Sequence, residues 1–181
     1  DEFQDTDPVQ WEILRTAFHT HVPLVLIGDP KQSIYAFRGA DVDAYTDAVG
    51  VADQKYSLDR NHRSDAPVVA AVNALFHNAV LGDGIGVPPV TASHQGSRLR
   101  LPDGSAWAAP VRLRCLAPDQ PVSARDARHE IVADVVAEVV DLLTCGAEVA
   151  EKDVPRALRA NDVAILVSTN KRGRAIADAL T

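Results

Sequence analysis

The chain has 181 residues, 46% of them hydrophobic and 24% charged, which is the make-up of an ordinary globular protein with material for one good core or two small ones; intrinsic disorder is not the expectation. A formal net charge of −7 excludes a broad basic face, so any contact with nucleic acid has to come from a local groove. Cys115 and Cys145, with no CxxC pair, exclude a disulfide framework and a thiolate metal site, and no apolar run approaches the roughly 18 residues that span a bilayer. The cysteine pattern makes a reducing cytoplasm the expected setting, and no charged region followed by an apolar stretch opens these residues. Methionine is absent and the first residue already belongs to a motif, so the chain is expected to be a segment of a longer protein.

Taken in order, Pro8 to His19 has proline in the first turn and apolar residues at Val9, Ile13, Leu14 and Ala17, the spacing of a helix. Val22 to Ile27 is a short apolar run stopped by Gly28 and Asp29, which predicts a central strand buried on both faces with polar chemistry at its carboxyl end. Helices are expected at 32–37 and 42–49, an extended stretch at 55–58, and a helix from about 66 to 80 with Ser64 or Asp65 as its cap. Residues 81–109 are rich in Gly, Pro and Ser and read as an irregular connection between domains. Beyond it, 111–116 alternates like a strand, 124–143 reads as a long amphipathic helix, 163–167 as a buried strand, and 171–180 as a helix capped by Thr169 or Asn170. That order is a βαβα unit, which calls for a right-handed crossover and a parallel sheet.

The chemistry concentrates in four places. Asp1 and Glu2 are adjacent carboxylates ahead of a helix, where one acid can hold Mg²⁺ and the next can orient or deprotonate a water. For an isolated pair the bland alternative is helix N-terminal charge that offsets the macrodipole. The run Gly28 to Ala40 (GDPKQSIYAFRGA) follows the apolar run and packs an amide, two aromatics and an arginine into one turn, which suits phosphate sensing together with base stacking. Singly, Tyr35 and Phe37 would be core residues. Leu58 to Ser64 (LDRNHRS) precedes a helix and carries an arginine able to meet a phosphate bidentately. Lys171, Arg172 and Arg174 open the last helix, where basic residues oppose the macrodipole and lend weight to a bound phosphate, with a solvated helix start as the equal alternative.

Together these strings resemble the UvrD/RecB-type superfamily 1 DNA helicases. DEFQDTD is similar to their motif II, GDPKQSIYAFRGA to motif III and LDRNHRS to motif IV; the resemblance is strong over residues 1–80 and weak over 110–181. It implies an α/β fold of the P-loop NTPase (RecA-like) kind, a three-layer parallel-sheet architecture. Residues 1–80 would be the C-terminal part of the first motor domain, 1A, and 110–181 the start of the second, 2A. It also implies Asp1 and Glu2 as Mg²⁺ ligands, Glu2, Gln32 and Arg63 as catalytic residues, and Gln32, His62 and Arg63 as contacts to ATP. Tyr35, Phe37, Arg38, Lys171 and Arg174 would contact DNA. His62 departs from the family's aromatic residue at the adenine-stacking position. Ser168 and Arg172 stand where arginine and glutamine are frequent.

GDPKQSIYAFRGAD with DEFQDTDPVQ looks more like the RecB or AddA subunits of recombination helicase–nucleases than like UvrD or Rep, and RecB is the better match. The resemblance implies an ATP-dependent 3′–5′ DNA helicase working on single- and double-stranded DNA beside RecC- and RecD-like subunits. No GxxxxGK[ST] loop occurs in the 181 residues, so this segment by itself is expected to be inactive. Two other readings stay open: a stand-alone noncatalytic DNA-binding or interaction module derived from a helicase, and a metal nuclease built on Asp1, Glu2, Asp5, Asp7 and Asp29.

Overall fold

The computed structural model describes residues 1–33, 42–82, 84–106, 109–117, 121–151 and 154–181. Contacts divide them into two compact units, Asp1–Arg60 with Asn73–Val90, and Asn61–Val72 with Thr91–Thr181. The helix expected at 32–37 falls largely on residues 34–41, outside the described set.

In the first unit, helix α1 (Pro8–Phe18) starts as its sequence dictates: the Asp7 carboxylate accepts from Gln10 N, the Gln10 amide returns to Asp7 N, and Pro8 occupies the first turn. Trp11, buried on its inner face, meets Phe3 edge-to-face at 5.5 Å. Helix α2 (Val42–Val51) adds Ala44 and Ala48, four apart and therefore on one face. Phe3, Trp11, Ala44 and Ala48 form the core, with Leu14, Leu24, Leu26 and Tyr45 packed against it.

The run Val22 to Ile27 differs from the expectation of a strand buried on both faces. Its burial alternates, Leu24 and Leu26 facing the core while Val25 is 77% exposed, and it lies in no ladder. Phe3 N donates to Ile27 O at 2.9 Å. A strand exists by pairing, and among the described residues no neighbouring strand reaches this run.

Strand β1 (Arg60–Asp65) leads directly into helix α3 (Ala66–Leu75). The helix stops five residues short of the expected end because Asn78 takes a left-handed conformation, φ 57°, in the turn that follows. Of the two caps expected, Ser64 and Asp65, the Asp65 carboxylate is engaged by Arg98. Residues 80–100 are not irregular throughout. Strands β2 (Val80–Leu81) and β3 (Ile85–Gly86) form a small antiparallel pair, the Asn73 amide clasps both polar groups of the Val90 backbone, and β4 (Thr91–His94) pairs with β1.

In the second unit, β5 (Leu99–Arg100), β6 (Glu148–Glu151) and β7 (Val154–Ala157) make a three-stranded antiparallel sheet. The last two strands were not expected. Helix α4 (Ala124–Thr144) is capped by the Ser123 hydroxyl, which accepts from Asp126 N, and helix α5 (Asn170–Leu180) by Thr169, which accepts from Arg172 N. The runs 111–116 and 163–167 lie in no ladder; Leu113 is 82% and Leu166 96% exposed. Arg114 and Arg112 instead pin the first run to α4 through Asp134 and Glu138. The three-layer parallel sheet implied by the resemblance is therefore not formed among the described residues: its expected strands are unpaired, and the β2–β3, β5–β6 and β6–β7 pairings are antiparallel. No described helix is long and apolar enough to cross a membrane.

Candidate functional site

Glu2 follows Asp1 with its backbone in the left-handed region, φ 56° and ψ 37°. For a residue with a Cβ this costs on the order of 1–3 kcal/mol and persists only where neighbours hold it. One neighbour is evident. Gln4, just 2% exposed, donates through Nε2 to Glu2 Oε2 at 2.5 Å, while its Oε1 accepts from Asp29 N at 3.1 Å. Because one end of the amide faces a carboxylate and the other an N–H, its orientation is fixed. The Gln4 backbone carbonyl accepts from Ser33 Oγ at 3.3 Å. Gln4 thus joins the acidic pair to the loop that carries Gln32.

Gly28 makes that approach possible. A Cβ there would lie 2.9 Å from Gln4 Oε1 and 3.1 Å from Gln4 N, closer than carbon and oxygen or nitrogen tolerate. Beyond it, Pro30–Gln32 form a single 3₁₀ turn capped by Asp29, whose carboxylate accepts from Lys31 N, receives Gln32 Nε2 at 3.2 Å and pairs with Lys31 Nζ at 2.6 Å. Partial burial pushes the Asp29 carboxyl up, but the hydrogen bonds from Lys31 and Gln32 outweigh it and hold the group below its usual range. Asp29 stays ionised and fixes the Gln32 amide in the same loop that Gln4 ties to Glu2.

Asp1 and Glu2 are exposed and supply hard oxygen donors. Among the described residues no three His, Cys, Asp or Glu side chains gather as a metal cage. That donor set fits Mg²⁺, which takes one or two carboxylates and draws its remaining ligands from water and substrate phosphate. The wider carboxylate cluster of the nuclease reading has other work: Asp7 caps α1 and Asp29 caps the 3₁₀ turn and pairs with Lys31.

His62 and Arg63 lie in mid-strand on β1, both exposed. Asn61 Oδ1 accepts from Arg63 N at 2.8 Å and Ser64 N at 2.7 Å, fixing the peptide that carries Arg63. From β4, Ser93 Oγ meets His62 Nδ1 at 2.8 Å, and His94 Nε2 lies 3.2 Å from His62 O. The imidazole is therefore oriented by a hydroxyl. Tyr35, Phe37 and Arg38 lie outside the described residues. Lys171 and Arg174 are exposed in the first turns of α5, while Arg172 Nη1 donates to Ser168 Oγ at 2.7 Å.

Sequence reasoning missed Gln4, Ser93 and Arg98 as members of these sites and Asp29 as a loop organiser. A glutamine between Phe3 and Asp5 carried a signal, since a buried amide has to be satisfied at both ends. Ser93 and Arg98 are thirty or more positions from their partners and gave none.

Residues 1–50 match the family described as the UvrD/REP helicase N-terminal domain. That part of the chain is similar to the N-terminal domain of that helicase family. Across nearly its whole length the chain is similar to RecB subunits. Over 99% of its length it is 40% identical to the RecBCD enzyme subunit RecB of Mycobacterium tuberculosis (strain CDC 1551 / Oshkosh) and 41% identical to that of Mycolicibacterium smegmatis. Over its whole length it is 36% identical to the RecB subunit of Escherichia coli (strain K12). The chain spans 16% of the length of these relatives.

Proposed function

We propose that these residues are the part of a RecB-like helicase motor in which ATP hydrolysis is coupled to 3′–5′ movement along single-stranded DNA. The observation that carries the reading is the buried Gln4 amide, bonded at one end to the Glu2 carboxylate and at the other to the backbone of the loop that holds Gln32. A group that deprotonates water and a group that reads phosphate then share one rigid element, so a change at either is felt by the other. Mg²⁺ at Asp1 and Glu2 would neutralise phosphate charge.

In this reading Glu2 orients the attacking water, Gln32 contacts the terminal phosphate, Arg63 offsets the charge that develops there, and His62 stacks on the base. Tyr35 and Phe37, with Arg38 beside them, grip unstacked bases regardless of sequence, and Lys171 and Arg174 meet the DNA backbone. Residues 1–80 and 110–181 belong to two successive RecA-like motor domains. The whole protein works with RecC- and RecD-like subunits in a helicase–nuclease on single- and double-stranded DNA. The 181 residues alone do not hydrolyse ATP, because they contain no phosphate-cradling GxxxxGK[ST] loop.

The division of labour is tested in the full-length protein. Tyr35→Ala should weaken single-strand binding and unwinding more than basal ATP hydrolysis. Equal loss in both would sink the coupling role. Robust DNA-stimulated turnover by pure 1–181 would overturn the claim that the segment is inactive.

A further inference from the structure

Arg98 sits well outside the strings that resemble helicase motifs, yet one of its three bonds reaches Arg63 inside such a string and the other two reach Asp65 just after it. Its Nε donates to Asp65 Oδ1 at 2.6 Å, its backbone N–H to Asp65 Oδ2 at 2.7 Å, and its Nη2 to the carbonyl oxygen of Arg63 at 2.5 Å. The Asp65 side chain is only 13% exposed and that of Arg98 40%, so the carboxylate end of the pair is the shielded one. Arg98 is itself anchored, since its carbonyl accepts from Ala150 N at 2.9 Å at the edge of the β5–β6–β7 sheet. The backbone of Arg63 is thereby held on both sides, its N–H donating to the Asn61 side-chain Oδ1 and its C=O accepting from the Arg98 guanidinium.

We propose that the Arg98–Asp65 pair is a positioning device for Arg63: it fixes the backbone from which the Arg63 guanidinium reaches the nucleotide. The inference rests on the nucleotide role proposed for Arg63. A flexible arginine side chain on a mobile strand would sample many positions. Pinning both its backbone N–H and its C=O removes the backbone share of that freedom. Neither Arg98 nor Asp65 touches the nucleotide in this account, so their loss should slow hydrolysis through Arg63 alone.

The test is single-turnover ATP hydrolysis by the full-length protein, which reads slow rates, together with thermal unfolding of each variant. Arg98→Ala should lower the hydrolysis rate roughly ten- to a hundredfold, the scale of a misplaced contact group, with a smaller change in the ATP concentration at half-maximal rate. Asp65→Asn, which preserves shape, should do the same and covers the case in which Arg98→Ala fails to fold. In an Arg63→Ala background neither change should slow hydrolysis further. Loss that multiplies with that of Arg63→Ala, or wild-type hydrolysis by Asp65→Asn, would overturn the positioning role while leaving Arg63 as a contact. Wild-type hydrolysis by Arg63→Ala alone would instead refute the nucleotide role of Arg63, and the positioning role with it.

Discussion

Replacing Gln4 by leucine removes both ends of the amide that joins Glu2 to the Gln32 loop while keeping most of its volume. Stranding the half-buried Asp29 N–H costs about 1–2 kcal/mol of stability. The lost bond to Glu2 is charge-assisted and contributes about 1.5–3 kcal/mol to holding that carboxylate in place. If Glu2 must sit there to orient water, turnover should fall about ten- to a hundredfold. Gln4→Glu keeps an acceptor for Asp29 N but sets a second carboxylate against Glu2 at a position only 2% exposed, so stability and turnover should both fall at least as far as with leucine. Steady-state ATP hydrolysis and urea unfolding of the full-length protein read both quantities. Wild-type turnover in Gln4→Glu would refute the reasoning, because it would mean that the position of Glu2 does not depend on its partner.

Gly28→Ala should destabilise by about 1–3 kcal/mol and reduce hydrolysis, since the added Cβ meets the Gln4 amide at 2.9 Å; unfolding midpoints equal to wild type would show that the approach is looser than described. Ser93→Ala should raise the KM for ATP about two- to tenfold with little change in kcat, as expected for one neutral hydrogen bond that orients the His62 ring; an unchanged KM would remove His62 from base stacking. Arg156, bidentate on Asp162, with Arg159 N beside it, lowers the Asp162 carboxyl from 3.8 to about 2. The stabilisation is then present above pH 4 and lost as pH falls from about 4 through 2. Asp162→Asn should flatten that limb in an acid titration followed by circular dichroism, and an unaltered limb would mean that the pair does not stabilise the fold.

Helices α1, α4 and α5 were legible because their signals are local: Asp7 with Gln10, Ser123 with Asp126, and Thr169 each sit beside the apolar pattern they cap. The pair β6–β7 was not, since Glu148 and Glu151 frame the first strand and Pro155 interrupts the second, a residue that argues against a strand. The runs 22–27, 111–116 and 163–167 carry the composition of strands. A ladder, however, depends on a partner that no local pattern encodes. The acidic pair, Gln32 and Arg63 were readable as residue types in motif strings. The contacts that hold them were readable only in part, because Gln4 reaches 25 positions to Asp29 and Arg98 reaches 33 to Asp65.

The central claim is that Glu2 carries the hydrolytic step of a helicase motor. Its most direct test is Glu2→Gln in the full-length protein, measured once for DNA-stimulated ATP hydrolysis and once for binding of a fluorescent ATP analogue. Hydrolysis should be lost while nucleotide binding stays within a few-fold of wild type. Retained hydrolysis, or loss of binding and hydrolysis together, would contradict the account.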